Sequence, residues 1–256
     1  MTEKVSQKPV ALQMYSVRDE AARDFLGTLK AVAGVGYKAV ELAGYGDLSA
    51  AQLRKELDNL GLSALSSHVA LALMRKDLEQ VIDESLVLGC RYVICPWLPE
   101  DERGDAGKYR RLAAELDTYA ARCSERGIGF AYHNHDFEFK VLDGKYAIDI
   151  LRENTDARHV KFELDVYWAH YAGVDPAAFL SHLGLRCGIV HLKDMTKDAE
   201  RTFAEVGEGQ VSFAPIFAAA EKAGVDFYVV EQDRCRRPPL ESVALSLRNL
   251  RDWGIA

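Results

Sequence analysis

Short apolar runs alternate with amphipathic helical segments eight times along this chain. The apolar runs are rich in β-branched and aromatic residues, a composition typical of buried strands. The predicted strands are 10–17, 39–42, 62–69, 92–97, 128–135, 160–166, 187–192 and 227–231. The predicted helices are 24–34, 49–61, 77–89, 106–127, 146–153, one from about 176, 213–224 and 240–253. Strand starts are roughly 25 to 40 residues apart, which is the spacing of repeated βα units.

Eight consecutive βα units without a break in composition predict an α/β fold, a closed (β/α)8 TIM barrel. We expect residues 1–256 to form a single domain, with residues 1–8 as a flexible tail. A doubly wound open sheet is the alternative, but it usually has a glycine-rich turn after its first strand. The first predicted strand ends in Tyr15-Ser16-Val17-Arg18, which contains no glycine. The barrel is therefore the predicted fold.

Composition excludes several classes of protein. The chain has 48% hydrophobic and 28% charged residues, as soluble globular proteins do. No apolar run is long enough to span a bilayer and the first residues lack an apolar signal core, so we expect a cytoplasmic protein without a membrane partner. The five cysteines include no C-x-x-C pair and are expected to be reduced thiols. A net charge of −7 argues against a nucleic-acid partner.

Ionisable residues follow the apolar part of most predicted strands. The stretch FAYHNHDFEF (130–139) shows this most strongly, because two imidazoles and two carboxylates follow an aromatic strand. The strand-end set is Glu41, His68, His133, His135, Glu138, Asp165, His191, Lys193, Asp194 and Glu231. Each of these has an ordinary structural explanation when taken alone, such as a helix cap or a surface ion pair. Their recurrence at the carboxyl ends of strands, where barrel enzymes carry their chemistry, instead predicts a shared site.

Carboxylates and imidazoles that converge on one point form a hard, oxygen-rich metal site. We expect one divalent metal ion, with Mn²⁺ first and Mg²⁺, Co²⁺ or Zn²⁺ as alternatives. Alternation along a strand places Glu163 and Asp165 on one side of the sixth strand, and His191 and Lys193 on one side of the seventh.

Four motifs resemble the xylose isomerase-like TIM-barrel superfamily, specifically its sugar phosphate isomerase/epimerase branch with the inosose dehydratase-like members. The motifs are YHNHDFEF (132–139), ELDVYW (163–168), VHLKD (190–194) and VVEQD (229–233). The resemblance covers essentially the whole chain and implies that a divalent metal is held by Glu138, Asp165, His191 and Glu231. Ketose epimerases carry their strand-five glutamate where this chain has Tyr132. The implied ligand is therefore Glu138, and His135 is its competitor.

The implied reaction is removal of a proton next to a carbonyl through a metal-stabilised enediolate. The catalytic candidates are Glu138, Glu231, His135 and Lys193. The candidates for substrate binding are Glu41, His68, His133, Trp168 and Arg234.

Four functions remain open at this point. A sugar isomerase or epimerase is the first hypothesis, and a lyase acting on an inosose or keto-sugar is the second. An abasic-site endonuclease would need more histidines and a basic face, and a non-catalytic sugar-binding barrel would bind no metal. The expected partner is an unphosphorylated sugar, keto-sugar or cyclitol, and relatives suggest a homo-oligomer.

Overall fold

The computed structural model describes residues 8–256, and within this range eight parallel strands close into a barrel. The strands are β1 (Val10–Gln13), β2 (Ala39–Leu42), β3 (Ser63–His68), β4 (Tyr92–Cys95), β5 (Gly129–His133), β6 (Val160–Asp165), β7 (Cys187–Leu192) and β8 (Phe227–Val230). Each strand pairs with its neighbour in chain order, and β8 pairs with β1. The predicted (β/α)8 barrel is thus confirmed. The tail predicted over residues 1–8 lies outside the described residues, except for Lys8.

Ten helices among the described residues accompany the barrel. They are α1 (Arg18–Arg23), α2 (Phe25–Val35), α3 (Ala50–Leu60), α4 (Leu71–Leu88), α5 (Ala106–Glu125), α6 (Ala147–Glu153), α7 (Val166–Tyr171), α8 (Pro176–Leu183), α9 (Phe213–Ala223) and α10 (Pro239–Asp252). Their apolar faces and the outward-facing strand residues form the larger buried cluster. No helix within residues 8–256 is both long enough and apolar enough to cross a membrane.

Most differences from the predicted elements lie where a polar side chain turns the backbone. The first strand ends at Gln13 rather than at residue 17, because the Gln13 side chain accepts a hydrogen bond from the Tyr15 N–H and a 3₁₀ helix follows. Helix α4 begins six residues before the predicted start at Asp77, and Asp77 itself forms a kink within it. The Asp77 carboxylate caps the second half by accepting the Gln80 N–H.

The interior of the barrel changes from apolar to polar along five of its eight strands. Its apolar layer contains Ala11, Ala39, Leu65, Ile94, Ala131, Ile189, Phe227 and Val229. Side chains of a strand alternate between the two faces, so a residue two positions further along points inward again. Those positions carry Gln13 after Ala11, Glu41 after Ala39, His133 after Ala131, His191 after Ile189 and Glu231 after Val229. The carboxyl end of the barrel is therefore filled with buried polar groups.

The segment after β7 folds back over this end of the barrel. Its two short strands, Asp194–Met195 and Phe203–Ala204, pair in antiparallel fashion. The Asp194 carboxylate accepts four backbone N–H bonds, from Met195, Gly207, Gly209 and Val211. One buried carboxylate thus fixes both ends of the loop.

Candidate metal and active site

The strand register places Glu41 between two hydrogen-bond donors at the centre of the barrel. Glu41 lies opposite Gln13 of β1 and opposite Ser66 of β3. Gln13 Nε2 donates to Glu41 Oε1 over 2.8 Å, and the Ser66 hydroxyl donates to Oε2. Glu41 is fully buried and was predicted to bind substrate, but its carboxylate lies beneath the cavity rather than on its wall.

Two imidazoles and two carboxylates form a closed ring around the barrel axis, which we call the inner quartet (Glu41, His68, Glu163 and His191). His68 Nε2 lies 2.9 Å from Glu41 Oε1 and 2.7 Å from Glu163 Oε2. His191 Nε2 lies 2.7 Å from the same Glu41 oxygen and 3.1 Å from the same Glu163 oxygen. Imidazole and carboxylate alternate around this ring, so each group has neighbours of opposite charge.

The charges of the inner quartet follow from this alternation. Burial opposes ionisation of Glu41, but the adjacent imidazoles of His68 and His191 outweigh it and hold the pKa of Glu41 well below its usual value. Burial also opposes protonation of His68, yet Glu41 and Glu163 raise the pKa of its imidazole to about 10. The same two carboxylates raise the pKa of His191. Burial and the nearby Glu41 raise the pKa of Glu163.

A second set of four residues lies towards the solvent, which we call the outer quartet (His133, Asp165, His191 and Glu231). One ligand atom from each residue lies within 4.8 Å of all the others. Asp165 and His191 are register partners on β6 and β7, and His133 is the partner of Glu163 on β5 and β6. His191 Nδ1 lies 2.8 Å from Glu231 Oε2.

The His133 and Asp165 side chains place a ring nitrogen and a carboxylate oxygen 3.7 Å apart. His133 Nδ1 lies 2.8 Å from Glu163 Oε2, so this nitrogen carries the proton and Nε2 presents a lone pair. Burial, followed by the positive charge of His191, lowers the pKa of His133 well below its usual value and keeps the ring neutral. Its Nε2 lies 3.7 Å from Asp165 Oδ2, a buried oxygen that is also 3.0 Å from the Lys193 ammonium. His133 Nε2 and Asp165 Oδ2 are therefore two buried acceptor atoms, of the kinds that bind metal ions, lying beside the Lys193 ammonium.

Lys193 supplies a positive charge at the edge of the outer quartet. Its ammonium lies 3.0 Å from Asp165 Oδ2, 2.8 Å from Glu231 Oε2 and 2.9 Å from Asp233 Oδ1. Burial opposes this charge, but the three carboxylates outweigh it and raise the pKa of Lys193 well above its usual value. Burial opposes ionisation of Glu231 as well, and Lys193 and His191 nevertheless lower its pKa.

The two quartets and their neighbours contain more negative than positive groups. The acidic groups are those of Glu41, Glu163, Asp165, Glu231 and Asp233, and the basic groups are those of His68, His191 and Lys193. Burial raises the pKa of Asp165 to about 6, although Lys193 opposes the shift, and burial also raises the pKa of Asp233. The acidic groups therefore outnumber the basic ones here, and a divalent cation that bound His191 would replace the proton on its ligating nitrogen.

Glu138 lies outside both quartets. The Tyr132 hydroxyl donates to its Oε1 over 2.6 Å, and the His135 N–H donates to its Oε2 over 2.8 Å. Burial raises the pKa of Glu138 to about 8, although these hydrogen bonds lower it. The structure therefore brings three of the four implied ligands together, and it places His133 where Glu138 was expected.

His135, the competitor of Glu138 for that position, instead lines the cavity. Its ring stacks on Phe137 and lies 5.3 Å from the ring of Trp168. Its Nδ1 has no hydrogen-bond partner within residues 8–256. Burial, followed by the charge of Lys193, lowers the pKa of His135 to about 3, so the ring is neutral.

A cavity of about 810 Å³ opens above the outer quartet at the carboxyl end of the barrel. Several predicted residues form its floor and walls, namely His68, His133, His135, Trp168, Lys193, Glu231 and Arg234. Three residues that sequence patterns did not single out as platforms or binding groups, Tyr15, Arg18 and Trp97, line its rim. The cavity therefore joins a charged floor to a rim with aromatic side chains.

Comparison with known families agrees with this architecture. The family described as the xylose isomerase-like TIM barrel matches residues 29–253, which is most of the chain. The chain belongs to the xylose isomerase-like TIM-barrel family. The predicted resemblance is thus confirmed.

Within this family, the chain is similar to an inosose dehydratase and to a rhizopine catabolism protein. It is 27% identical to the inosose dehydratase of Geobacillus kaustophilus, in an alignment that covers 80% of this chain and 79% of that protein. It is 26% identical to the rhizopine catabolism protein MocC of Rhizobium meliloti, over 84% of this chain and 77% of that protein.

A solved structure of a sugar phosphate isomerase/epimerase from Parabacteroides distasonis is also similar to this chain. It is 26% identical, covers 98% of this chain and 96% of its own, and superposes with a TM-score of 0.84. The IOLI protein with a binding zinc atom shares the fold at a TM-score of 0.76 and 14% identity, over 95% of this chain and 97% of its own. These relatives indicate an enzyme family whose substrates are small molecules.

Sequence patterns missed two acidic members of this xylose isomerase-like site. Glu163 was recognised only as sharing a side with Asp165, although that shared side already indicated a second inward-facing carboxylate. Asp233 follows Glu231 by two residues and reaches Lys193 from beyond the end of β8. In both cases the signal was an acidic residue two positions from a predicted site residue.

Proposed function

We propose that this protein is a divalent-metal-dependent lyase that removes water from a ketocyclitol or keto-sugar. The observation that carries the proposal is the pair of facing acceptors, His133 Nε2 and Asp165 Oδ2, within the outer quartet beside a cavity of about 810 Å³. The inosose dehydratase relatives favour dehydration over isomerisation.

The outer quartet offers two imidazole nitrogens and two carboxylates to the metal. This donor set fits Mn²⁺, Co²⁺ and Zn²⁺, and it fits Mg²⁺ less well, since Mg²⁺ prefers oxygen ligands and bound water. The second contact of each imidazole, from His133 Nδ1 to Glu163 and from His191 Nε2 to Glu41, orients the ring. When bound, the metal ion polarises the substrate carbonyl and acidifies the neighbouring C–H bond.

Two groups that line the cavity exchange protons with the bound substrate ring. We assign removal of the proton next to the carbonyl to His135, whose neutral imidazole lines the cavity. We assign protonation of the departing β-hydroxyl to Lys193, whose ammonium lies on the same cavity wall. The C–H electron pair forms the new double bond, and the C–O bond breaks as water leaves. The product is the enol of an α-diketone, and solvent returns the proton from His135 to Lys193.

The reaction is tested with metal-loaded full-length protein and 2-keto-myo-inositol in D₂O. We expect a product lighter by one water, detected by mass spectrometry, and the loss of the proton signal next to the carbonyl in the NMR spectrum. A substrate that stays unchanged with every metal of the set would contradict the proposal for cyclitols. The same assay with 3-keto-glucose then tests the keto-sugar class, and failure of both overturns the proposed function.

Two variants separate the proton transfers. His135→Asn should abolish both deuterium exchange and water loss, whereas Lys193→Met should retain exchange and lose water at least about tenfold more slowly. His182→Asn, an exposed histidine that bonds Asp149, is the matched control and should behave as the wild type. Full exchange in the His135→Asn protein would remove His135 from the proposed mechanism.

An isomerase or epimerase is the second candidate, because the Parabacteroides distasonis protein covers the chain almost completely at 26% identity. The same experiment distinguishes the two reactions. Epimerisation or isomerisation incorporates deuterium and preserves the oxygen count, whereas the proposed lyase removes one oxygen.

A further inference from the structure

The cavity is larger than one sugar ring requires. Its volume of about 810 Å³ lies near the upper end of the roughly 300–1,000 Å³ found for small-molecule sites, and a single six-carbon ring leaves much of it empty. The groups with chemical roles lie beside the outer quartet, where Lys193 contacts Glu231 over 2.8 Å and lines the cavity together with His135. A reacting ring held at the floor therefore leaves the rim of the cavity unfilled.

The rim presents two aromatic side chains that are exposed to solvent. Trp97, in the loop after β4, is 46% exposed, and Tyr15, after β1, is 44% exposed. Large apolar side chains at a cavity mouth are expected to bind the apolar faces of a ligand. Sugar rings offer such a face through their C–H bonds, and aryl groups offer one through their π system.

Each rim aromatic ring is supported by an arginine. The guanidinium carbon of Arg103 lies 4.9 Å from the centre of the Trp97 ring, and that of Arg18 lies 4.2 Å from the centre of the Tyr15 ring. Arg103 also lies 3.5 Å from the centre of the Phe137 ring, and its Nε donates to the Leu98 carbonyl over 2.9 Å. Arg103 is thus fixed between two rings and the backbone, which holds Trp97 in place before any ligand binds.

Planar groups continue from Trp97 down to the floor. Phe137, on the other side of Arg103, stacks on His135 with ring centres 5.7 Å apart and planes inclined by 10°. His135 contacts Trp168, and the Trp168 ring lies 5.8 Å from the Lys193 ammonium. Contacts through Arg103 and Phe137 therefore link Trp97 to His135 and Trp168, and these three aromatic side chains line the cavity.

We propose that the substrate carries a second ring beside the ring that reacts, and that Trp97 is the platform on which this second ring lies. The substrate class is then a glycoside of a keto-sugar, either a disaccharide or an aryl glycoside, rather than a bare monosaccharide. This inference rests on the proposed function only for the identity of the reacting ring. Because the platform is already ordered, binding of the second ring loses little side-chain entropy.

Isothermal titration calorimetry of the metal-loaded full chain tests the proposal without requiring turnover. The probes are methyl β-D-glucopyranoside, phenyl β-D-glucopyranoside and cellobiose, together with the galactose analogues of the first two. We expect the two-ring probes to bind about tenfold more tightly than the one-ring probe of the same sugar. Equal affinities, or no binding of any probe, would overturn the proposal.

Substitutions at Trp97 locate the second-ring site. Trp97→Ala should abolish the preference for two rings and leave the affinity for methyl glucopyranoside unchanged, while Trp97→Phe should retain most of the preference. Trp253→Ala is the matched control, since Trp253 is also 46% exposed but lies at the end of α10. A preference that survives Trp97→Ala, or an equal loss for both probe types, would contradict the assignment.

The outcomes separate this inference from the proposed function. If the protein binds two-ring probes through Trp97 but removes no water, the Trp97 platform is supported and the proposed lyase function is contradicted. If the protein dehydrates a bare ketocyclitol and shows no preference for two rings, the proposed lyase function is supported and the Trp97 platform is contradicted.

Discussion

The contrast between His133 and Glu138 shows how far individual residues were predictable. Both lie in the YHNHDFEF stretch, and the family resemblance implied Glu138 as the ligand, with His135 as its competitor. In the structure, the two carboxylate oxygens of Glu138 accept hydrogen bonds from the Tyr132 hydroxyl and the His135 N–H. His133, which was predicted to bind substrate, lines the cavity and ends β5 with its Nε2 3.7 Å from Asp165 Oδ2. The choice depends on the 3₁₀ turn 137–139 after β5, and the alternation of strand residues does not extend through such a turn.

Glu138→Gln should stabilise the protein above neutral pH. Burial raises the pKa of the folded-state carboxyl to about 8 from an ordinary value near 4.5, so the folded protein binds a proton that the unfolded chain has released. Wild-type stability therefore falls as pH rises from about 4.5 to 8, and the glutamine variant lacks this loss. Near pH 8 we expect Glu138→Gln to be more stable by roughly 2 kcal/mol.

Denaturant unfolding of both proteins at pH 5 and pH 8.5 measures this effect. The two proteins should have similar stability at pH 5, where the carboxyl is protonated in the folded state and partly so in the unfolded state. A variant that is less stable at pH 8.5 would show that Glu138 works as a buried carboxylate rather than as a neutral acid.

At the scale of elements, strands were predicted better than the connections that shape the site. Strands β2 and β7 have the predicted bounds, because their apolar runs end at clear breaks in the sequence. Helix α1 was missed because none of its residues is buried, so it leaves no apolar periodicity. Helix α7 was missed because it starts directly after β6, with Asp165 accepting the Trp168 N–H as its cap. Asp165 thus ends a strand, caps a helix and faces the outer quartet.

Gly209→Ala should destabilise the loop that follows β7. A Cβ at this position would lie 2.2 Å from the backbone oxygen of Met195 and equally close to the Asp194 carboxylate, so the loop must shift and Asp194 loses N–H donors. We expect a loss of roughly 2–3 kcal/mol.

Gly34→Ala in helix α2 is the matched control, because a Cβ added there would have no atom of the described chain within 4 Å beyond its own helix backbone and chain neighbours. It should stabilise the protein by up to about 1 kcal/mol, since alanine is the better helix former. Chemical denaturation measures both values, and a Gly209→Ala protein as stable as the wild type would show that the loop tolerates the added methyl group.

At the scale of the whole molecule, closure of the barrel assembles the site. The inner quartet draws on β2, β3, β6 and β7, and Glu41 and His191 are 150 positions apart in the chain. Repeated βα units predicted the closure and the strand ends that converge there. They did not predict which nitrogen of an imidazole faces which oxygen, because that depends on strand register and stagger, as in the shifts at Val40/Glu41 and Phe162/Glu163.

Metal removal should lower the thermal stability of the whole barrel. The outer quartet joins residues from β5 to β8, so an ion that binds the folded state alone stabilises all four strands together. At free metal about 100-fold above its Kd we expect a gain of about 2.7 kcal/mol. Calorimetry with and without a chelator measures the shift in Tm, and Asp165→Asn should show little or none. A wild-type Tm that is unaffected by chelator and by added Mn²⁺ would argue against the site.

The most direct test of the central claim is the metal content of three purified proteins, measured by elemental mass spectrometry after dialysis against Mn²⁺ and then against metal-free buffer. The account predicts about one equivalent in the wild type, about one in Glu138→Gln, and a much lower content in His133→Asn. Full metal content in His133→Asn together with loss of metal in Glu138→Gln would contradict it and restore Glu138 as the ligand. A wild-type protein that contains no metal after this treatment would contradict the proposal that the outer quartet binds a metal ion.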